Sequence, residues 1–198
     1  GLGLPPVLRG MGLCLLPVWL TGGIHLDGYA DTCDARASFA SPAHRQEILR
    51  DPHLGAFAAI RLSAYFVADS ALPEAPWGLL LLAPCASRAL SGLAITSFPL
   101  AAESSLAKTF ADAAARSRAK AVLAALSALL LLGLCAQGPG GAAMALAGLA
   151  CFFRCRRIAR REFGGLSGGL AGWFLQTAEI WMLAALCAVQ WGGRILCF

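Results

Sequence analysis

Residues 121–137 read Ala121-Val-Leu-Ala-Ala-Leu-Ser-Ala-Leu-Leu-Leu-Leu-Gly-Leu-Cys-Ala-Gln137, without a single charge. A bilayer's hydrocarbon core asks for roughly 20 predominantly apolar residues in a helix, with about 17–25 tolerated. This stretch is therefore the cleanest spanning segment of the chain. Working outward, five further apolar runs cover 10–26 (with Pro17 as a kink), 54–72, 77–100 (interrupted by Pro84), 139–153 (the shortest) and 170–190. Of the 198 residues 58% are hydrophobic and 14% charged, where a soluble domain carries about 25% charged residues. That balance excludes a disordered chain, a nucleic-acid-binding basic domain and a soluble globule. The expected architecture is an all-α, polytopic membrane protein of about six transmembrane helices, one domain across residues 1–198.

The connections test that count. Polar segments 27–53 (Arg36, Arg45, Arg50), 101–120 (Lys108, Arg116, Arg118, Lys120) and 154–169 (Arg154, Arg156, Arg157, Arg160, Arg161) follow the first, third and fifth spans. The alternate connections, 73–76 and 138–140, hold only Glu74 as a charge. By the positive-inside rule the three basic segments are cytoplasmic and both termini lie outside. The net charge of +5 reflects those loops. The arginine run 154–161 sets topology and meets anionic lipid. Eight cysteines suggest a disulfide framework only in a short secreted chain. Here most lie in or beside apolar runs and read as buried thiols in a reduced setting, with Cys33 apart in a polar cluster.

That cluster is Thr21-Gly-Gly-Ile-His-Leu-Asp-Gly-Tyr-Ala-Asp-Thr-Cys-Asp34. Asp27, Asp31 and Asp34 are spaced i, i+4, i+7, which at about 100° per residue puts them within roughly 60° of one helix face. Carboxylates so close repel one another unless a cation lies between them. Hard divalent ions such as Mg²⁺ take oxygen ligands and share them with substrate phosphates. The alternative is a solvated acidic helix end. Gly28 leaves room for a close ligand, as Gly22 and Gly23 do one turn earlier. His25 binds a phosphate, holds a carboxylate or makes a structural hydrogen bond.

Residues 21–35, TGGIHLDGYADTCDA, resemble the signature of the adenosylcobinamide-GDP ribazoletransferase (cobalamin synthase) family, close to T-G-G-[LI]-H-L-D-G-L-A-D-T-x-D-G, with departures at Tyr29 and Ala35. Asp51-Pro-His-Leu-Gly-Ala-Phe57, Ala83-Pro-Cys-Ala-Ser-Arg88 and Phe163-Gly-Gly-Leu-Ser-Gly168 resemble further motifs of that family in the same order. Two positions depart where an acid is usual, Gly169 and Gln176; Glu162 or Glu179 could complete the site instead. The chain begins without an initiator methionine, and the family's extra N-terminal segment is expected to be missing from it.

The resemblance implies a reaction at the bacterial inner membrane, on its cytoplasmic side. A free ribose hydroxyl of α-ribazole, or of its 5′-phosphate, attacks the diphosphate of adenosylcobinamide-GDP, giving adenosylcobalamin or its 5′-phosphate and GMP. It implies Mg²⁺ as cofactor, with Asp27 and Asp31 chiefly as metal ligands and Asp34 as ligand or general base; Asp31 and Asp34 are the catalytic pair. Substrate contacts are expected from His25, Gly28, Arg45, Asp51, His53, Gly55, Arg88, Lys108, Gly164, Gly165 and Ser167. Arg88 is the sharpest of these, because an arginine inside a span is costly and faces a polar cavity. Arg61, also inside a span, snorkels or pairs with Asp69. Gly164, Gly168 and Gly172 form a spacing-four ridge for close helix packing or close ligand approach. Expected partners are the two substrates, the lipid bilayer, and a second copy of the chain or other corrinoid-pathway enzymes; nucleic acid is not among them. Competing readings are another CDP-alcohol-phosphotransferase-like enzyme, a cation-coupled transporter and a degenerate family member. The first lacks its longer aspartate spacing here, and the second lacks inverted repeats.

Overall fold

The computed structural model describes residues 5–70, 75–101 and 113–196. Among them lie eight α-helices: α1 (Pro6–Thr21), α2 (Ile24–Ala37), α3 (Pro42–Ile48), α4 (Ala56–Ser70), α5 (Trp77–Ser97), α6 (Ala113–Cys135), α7 (Pro139–Glu162) and α8 (Gly168–Leu196). No strand occurs among the described residues, only an isolated parallel bridge between Leu100 and Leu166. The all-α expectation holds.

Three helical segments are long and apolar enough to cross a membrane: Trp77–Ser97, Ala115–Cys135 and Gly168–Gly193. These coincide with the runs expected at 77–100, 121–137 and 170–190. Val122, Leu129 and Leu132 on α6 stand exposed, as lipid-facing side chains of a spanning helix do. The other three expected spans differ. The run 10–26 is broken: Gly22 and Gly23 take left-handed backbone, φ 64° and 81°, and end α1 at Thr21. A left-handed glycine is the common helix stop, so α2 starts anew at Ile24. Helix α4 has only 15 residues. The apolar stretch 139–153 does not end in a loop. Helix α7 continues to Glu162 and carries all five arginines of 154–161, because arginine is a good helix former.

Helix α8 is the central element and packs on α2, α4, α5 and α7. Around its first half Leu170, Trp173 and Phe174 meet Leu26, Tyr29, Tyr65, Phe98 and Phe163. Around its second half Met182 and Leu186 meet Leu79, Ala83, Leu134 and Met144. Phe152 joins the first cluster, 4.8 Å from Phe98 and 6.2 Å from Phe174 between ring centroids.

Candidate active site

Helix α2 carries Asp27, Asp31 and Asp34 as one helical face. Asp27 is exposed; Asp31 and Asp34 are half-buried. Burial, and then the negative charges of Asp27 and Asp34, push the Asp31 carboxyl up to about 6. Burial, and then the nearby positive charge of Arg88, lower the pKa of His25.

Asp34 has a structural task. Its two carboxylate oxygens accept the backbone N–H groups of Gly55 (2.7 Å) and Ala58 (2.8 Å). The first N–H groups of a helix have no partner within it, and α4 begins at Ala56. Asp34 therefore caps α4 from another helix. Any side chain at Gly55 would collide with that carboxylate. Loss of such a cap costs about 0.5–2 kcal/mol, so Asp34→Ala should lower the melting temperature in detergent, with Asp34→Asn losing less; equal melting of Asp34→Ala and wild type would remove the capping role.

Gly28 sets how closely α2 can lie on α8. A Cβ there would stand 2.7 Å from the Gly169 carbonyl oxygen and 2.8 Å from its Cα. That contact is backbone, which cannot swing aside. Overpacking costs typically about 1–3 kcal/mol, so Gly28→Ala should destabilise the protein by that amount in thermal unfolding. Gly12→Ala in α1, where a Cβ would have nothing within 4 Å, is the control expected to melt no lower than wild type. At Gly169 a Cβ would make only ordinary contacts, 3.8 Å to Gly28 Cα and 3.9 Å to Leu49 Cδ2. Packing therefore does not forbid a side chain at the position where the resemblance expects an acid.

Several expected substrate residues are engaged with protein partners. Arg45 Nη1 donates to Glu162 Oε2 at 3.0 Å, and Arg36 Nε donates to the same oxygen at 2.9 Å. Arg36 also lies 5.2 Å from the Trp173 ring and Arg45 5.9 Å from that of Phe163. Gln46 Nε2 donates to the Phe163 carbonyl at 2.8 Å. Glu162 thus fastens α2 and α3 to the end of α7. Arg88 Nη1 donates to Glu179 Oε1 at 2.6 Å and to the Pro84 carbonyl at 3.0 Å, and Ser87 Oγ donates to the same glutamate oxygen at 2.7 Å.

Arg61 does not pair with Asp69. Among the described residues no ion pair joins them, and Asp69 shares a hydrogen bond with the Cys14 thiol. Asp51 accepts from the backbone N–H of its exposed neighbour His53 at 3.0 Å and lies 2.6 Å from its ring Nδ1. Those bonds hold the Asp51 carboxyl below its usual range. Lys108 lies outside the described residues.

The ridge expected at Gly164, Gly168 and Gly172 does not run along one helix. Gly164 (φ 67°) and Gly165 (φ 159°) form the turn between α7 and α8. A Cβ on Gly165 would stand 2.5 Å from the Ala101 nitrogen. Here residues 99–101 and 165–166 are laced together: Leu166 N–H donates to Pro99 O (2.8 Å) and Ala101 N–H to Leu166 O (3.0 Å). Ser167 Oγ accepts Leu170 N–H at 3.3 Å and starts α8. Gly172 packs against α2, where a Cβ would meet the His25 carbonyl oxygen at 3.1 Å.

Among the described residues no three His, Cys, Asp or Glu side chains converge on a metal-sized site. The donors not committed to backbone amides are Asp27 and Asp31, one turn apart. Mg²⁺ usually takes one or two protein carboxylates and completes its shell with water and substrate phosphates. The pair fits an ion held in that way.

These features define an all-α integral membrane protein with an acid-bearing helix outside its long apolar spans. The profile of the cobalamin-5-phosphate synthase family matches residues 1–187, and the chain belongs to that family. A protein of Lachnoclostridium phytofermentans named adenosylcobinamide-GDP ribazoletransferase is 37% identical over 189 residues, covering 93% of this chain and 72% of that one. Proteins of the same name from Stutzerimonas stutzeri (36% identical; 96% and 78% covered) and Desulfitobacterium hafniense (31%; 90% and 73%) are similar along the same extent. No solved structure matches.

Proposed function

We propose that the chain is an adenosylcobinamide-GDP ribazoletransferase, acting in assembly of the cobalamin nucleotide loop. The observation that carries this reading is the family match across residues 1–187 in a chain that sets Asp27 and Asp31 one turn apart on α2. A free ribose hydroxyl of α-ribazole attacks the phosphorus of adenosylcobinamide-GDP that becomes the linking phosphate, and GMP leaves. A Mg²⁺ ion held by Asp27 and Asp31 would neutralise the diphosphate and the departing phosphate. Asp34 is bound to two amides, so we assign it to positioning, and assign acceptance of the hydroxyl proton to Asp31. Gly55 lies against Asp34. The neighbouring Asp51 and His53, together with His25 and Lys108, are assigned to substrate. Arg45 and Arg88 act through the carboxylates they hold. Gly28, Gly164, Gly165 and Ser167 shape the backbone around the site.

In this reading α1, α4 and the first half of α7 complete six crossings of a bacterial inner membrane. Helices α2 and α3 and the arginine-rich end of α7 then lie on the cytoplasmic side. The test is direct. The chain in liposomes, given Mg²⁺, adenosylcobinamide-GDP and α-ribazole, should release GMP and form the corresponding cobalamin. Folded protein that releases none would overturn the proposal.

A further inference from the structure

A cavity of about 650 Å³ opens on the side of α2 turned away from Asp27 and Asp31. Tyr29, Cys33 and Arg36 line it from α2, and by helical periodicity they lie roughly 120–180° around the helix from the two acids. Helices α4 and α8 form its walls, and α7 reaches it through Arg154.

Its chemistry is divided. Arg36, Arg61 and Arg154 line it, and no carboxylate does among the described residues. Two donors of Arg36 are spent on Glu162. Arg61 and Arg154 have no ion-pair or hydrogen-bond partner among the described residues. Arg61 lies within α4, six positions into a 15-residue helix. A cation at membrane depth is costly unless it meets a counter-charge. Apart from Cys33 and Thr177, the rest of the wall is apolar or aromatic, with Tyr65, Trp173 and Trp181 among its residues. Its rim is apolar and exposed: Phe39 is 90% exposed in left-handed backbone (φ 52°), Phe57 56% and Trp181 53%.

We infer that this cavity takes an anionic phospholipid, with its phosphate between Arg61 and Arg154 and an acyl chain along α4 and α8. Arginines above an apolar wall match the two ends of such a molecule. Basic pockets between membrane helices on the cytoplasmic side bind acidic headgroups. A water-soluble phosphate would be served by the arginines but would leave the exposed aromatic rim without an apolar partner. The lipid is separate from the transfer reaction, and its site shares no side chain with the Asp27–Asp31 pair.

Native mass spectrometry of the detergent-purified chain titrated with phosphatidylglycerol, phosphatidylcholine or glycerol phosphate tests this without measuring turnover. Phosphatidylglycerol should be retained in preference to phosphatidylcholine, and glycerol phosphate should not compete. Each of Arg61→Gln and Arg154→Gln should lower phosphatidylglycerol retention roughly fivefold. Arg156→Gln, on a different patch of α7, should leave retention unchanged. Arg61→Lys, which keeps the charge, should retain most of the binding and guards against misfolding of the glutamine variant. Equal retention by wild type and the two glutamine variants, or equal retention of both lipids, would overturn the assignment. Competition by glycerol phosphate would reassign the cavity to a soluble phosphate and overturn the lipid.

Discussion

An Asp31→Asn chain, reconstituted with Mg²⁺ and both substrates, should release GMP roughly 10²–10³-fold more slowly than wild type, the loss typical of removing one preorganised electrostatic contact to a transition state. Asp27→Asn should do the same. Asparagine keeps the size of the side chain and removes its charge, so the fold is not what fails. The direction of the stability change separates the two explanations. Burial, then Asp27 and Asp34, raise the Asp31 carboxyl from 3.8 to about 6 in the folded protein. The folded state therefore binds that proton more tightly than the unfolded state does. In chelator, stability should fall as pH rises from about 4 through 6 and stay lowered above it. Asp31→Asn removes that fall, so above pH 6 the metal-free variant should melt no lower than wild type while it fails to turn over. Wild-type turnover by both variants, or undiminished turnover of wild type in chelator, would sink the metal-centred mechanism.

Arg88→Ala should be the most damaging single change to stability, about 3–5 kcal/mol, the usual cost of leaving the buried member of an ion pair without its partner. Glu179 is 9% exposed and takes two bonds on one oxygen, from Arg88 (2.6 Å) and Ser87 (2.7 Å). Both helices concerned are long apolar segments, so water cannot readily replace the lost partner. Removing both charges together should be milder. Thermal unfolding of Glu179→Ala, Arg88→Ala and the double variant forms a cycle in which the double recovers part of the loss. Strict additivity would mean that the pair is not the source of the effect.

Continuous apolarity made α5, α6 and α8 readable from residues alone, because a bilayer imposes a length and a composition that few other environments require. The ends of the remaining elements were less readable. Hydropathy stops at Phe153, but helix formation does not, since arginines 154–161 continue α7 while turning its surface polar. Gly22 and Gly23 are visible as residues, yet their role as the break between α1 and α2 depends on backbone conformation. The aspartate face of α2 was legible from its i, i+4, i+7 spacing. What Asp34 touches was not, because its partners lie 21 and 24 positions away. Arg88 was legible as a costly charge inside a span, but its pairing with Glu179 across 91 positions is a product of packing α5 on α8.

The contact between Asp34 and Gly55 also bears on how such chains diverge. A side chain at 55 would occupy the space of the carboxylate, while a shortened residue at 34 would leave two amides of α4 bare. Neither position can drift by itself without a penalty. Sequences descended from a common ancestor should therefore change the two as a coupled pair or keep both, and an intermediate carrying only one replacement should be purged by its lowered abundance.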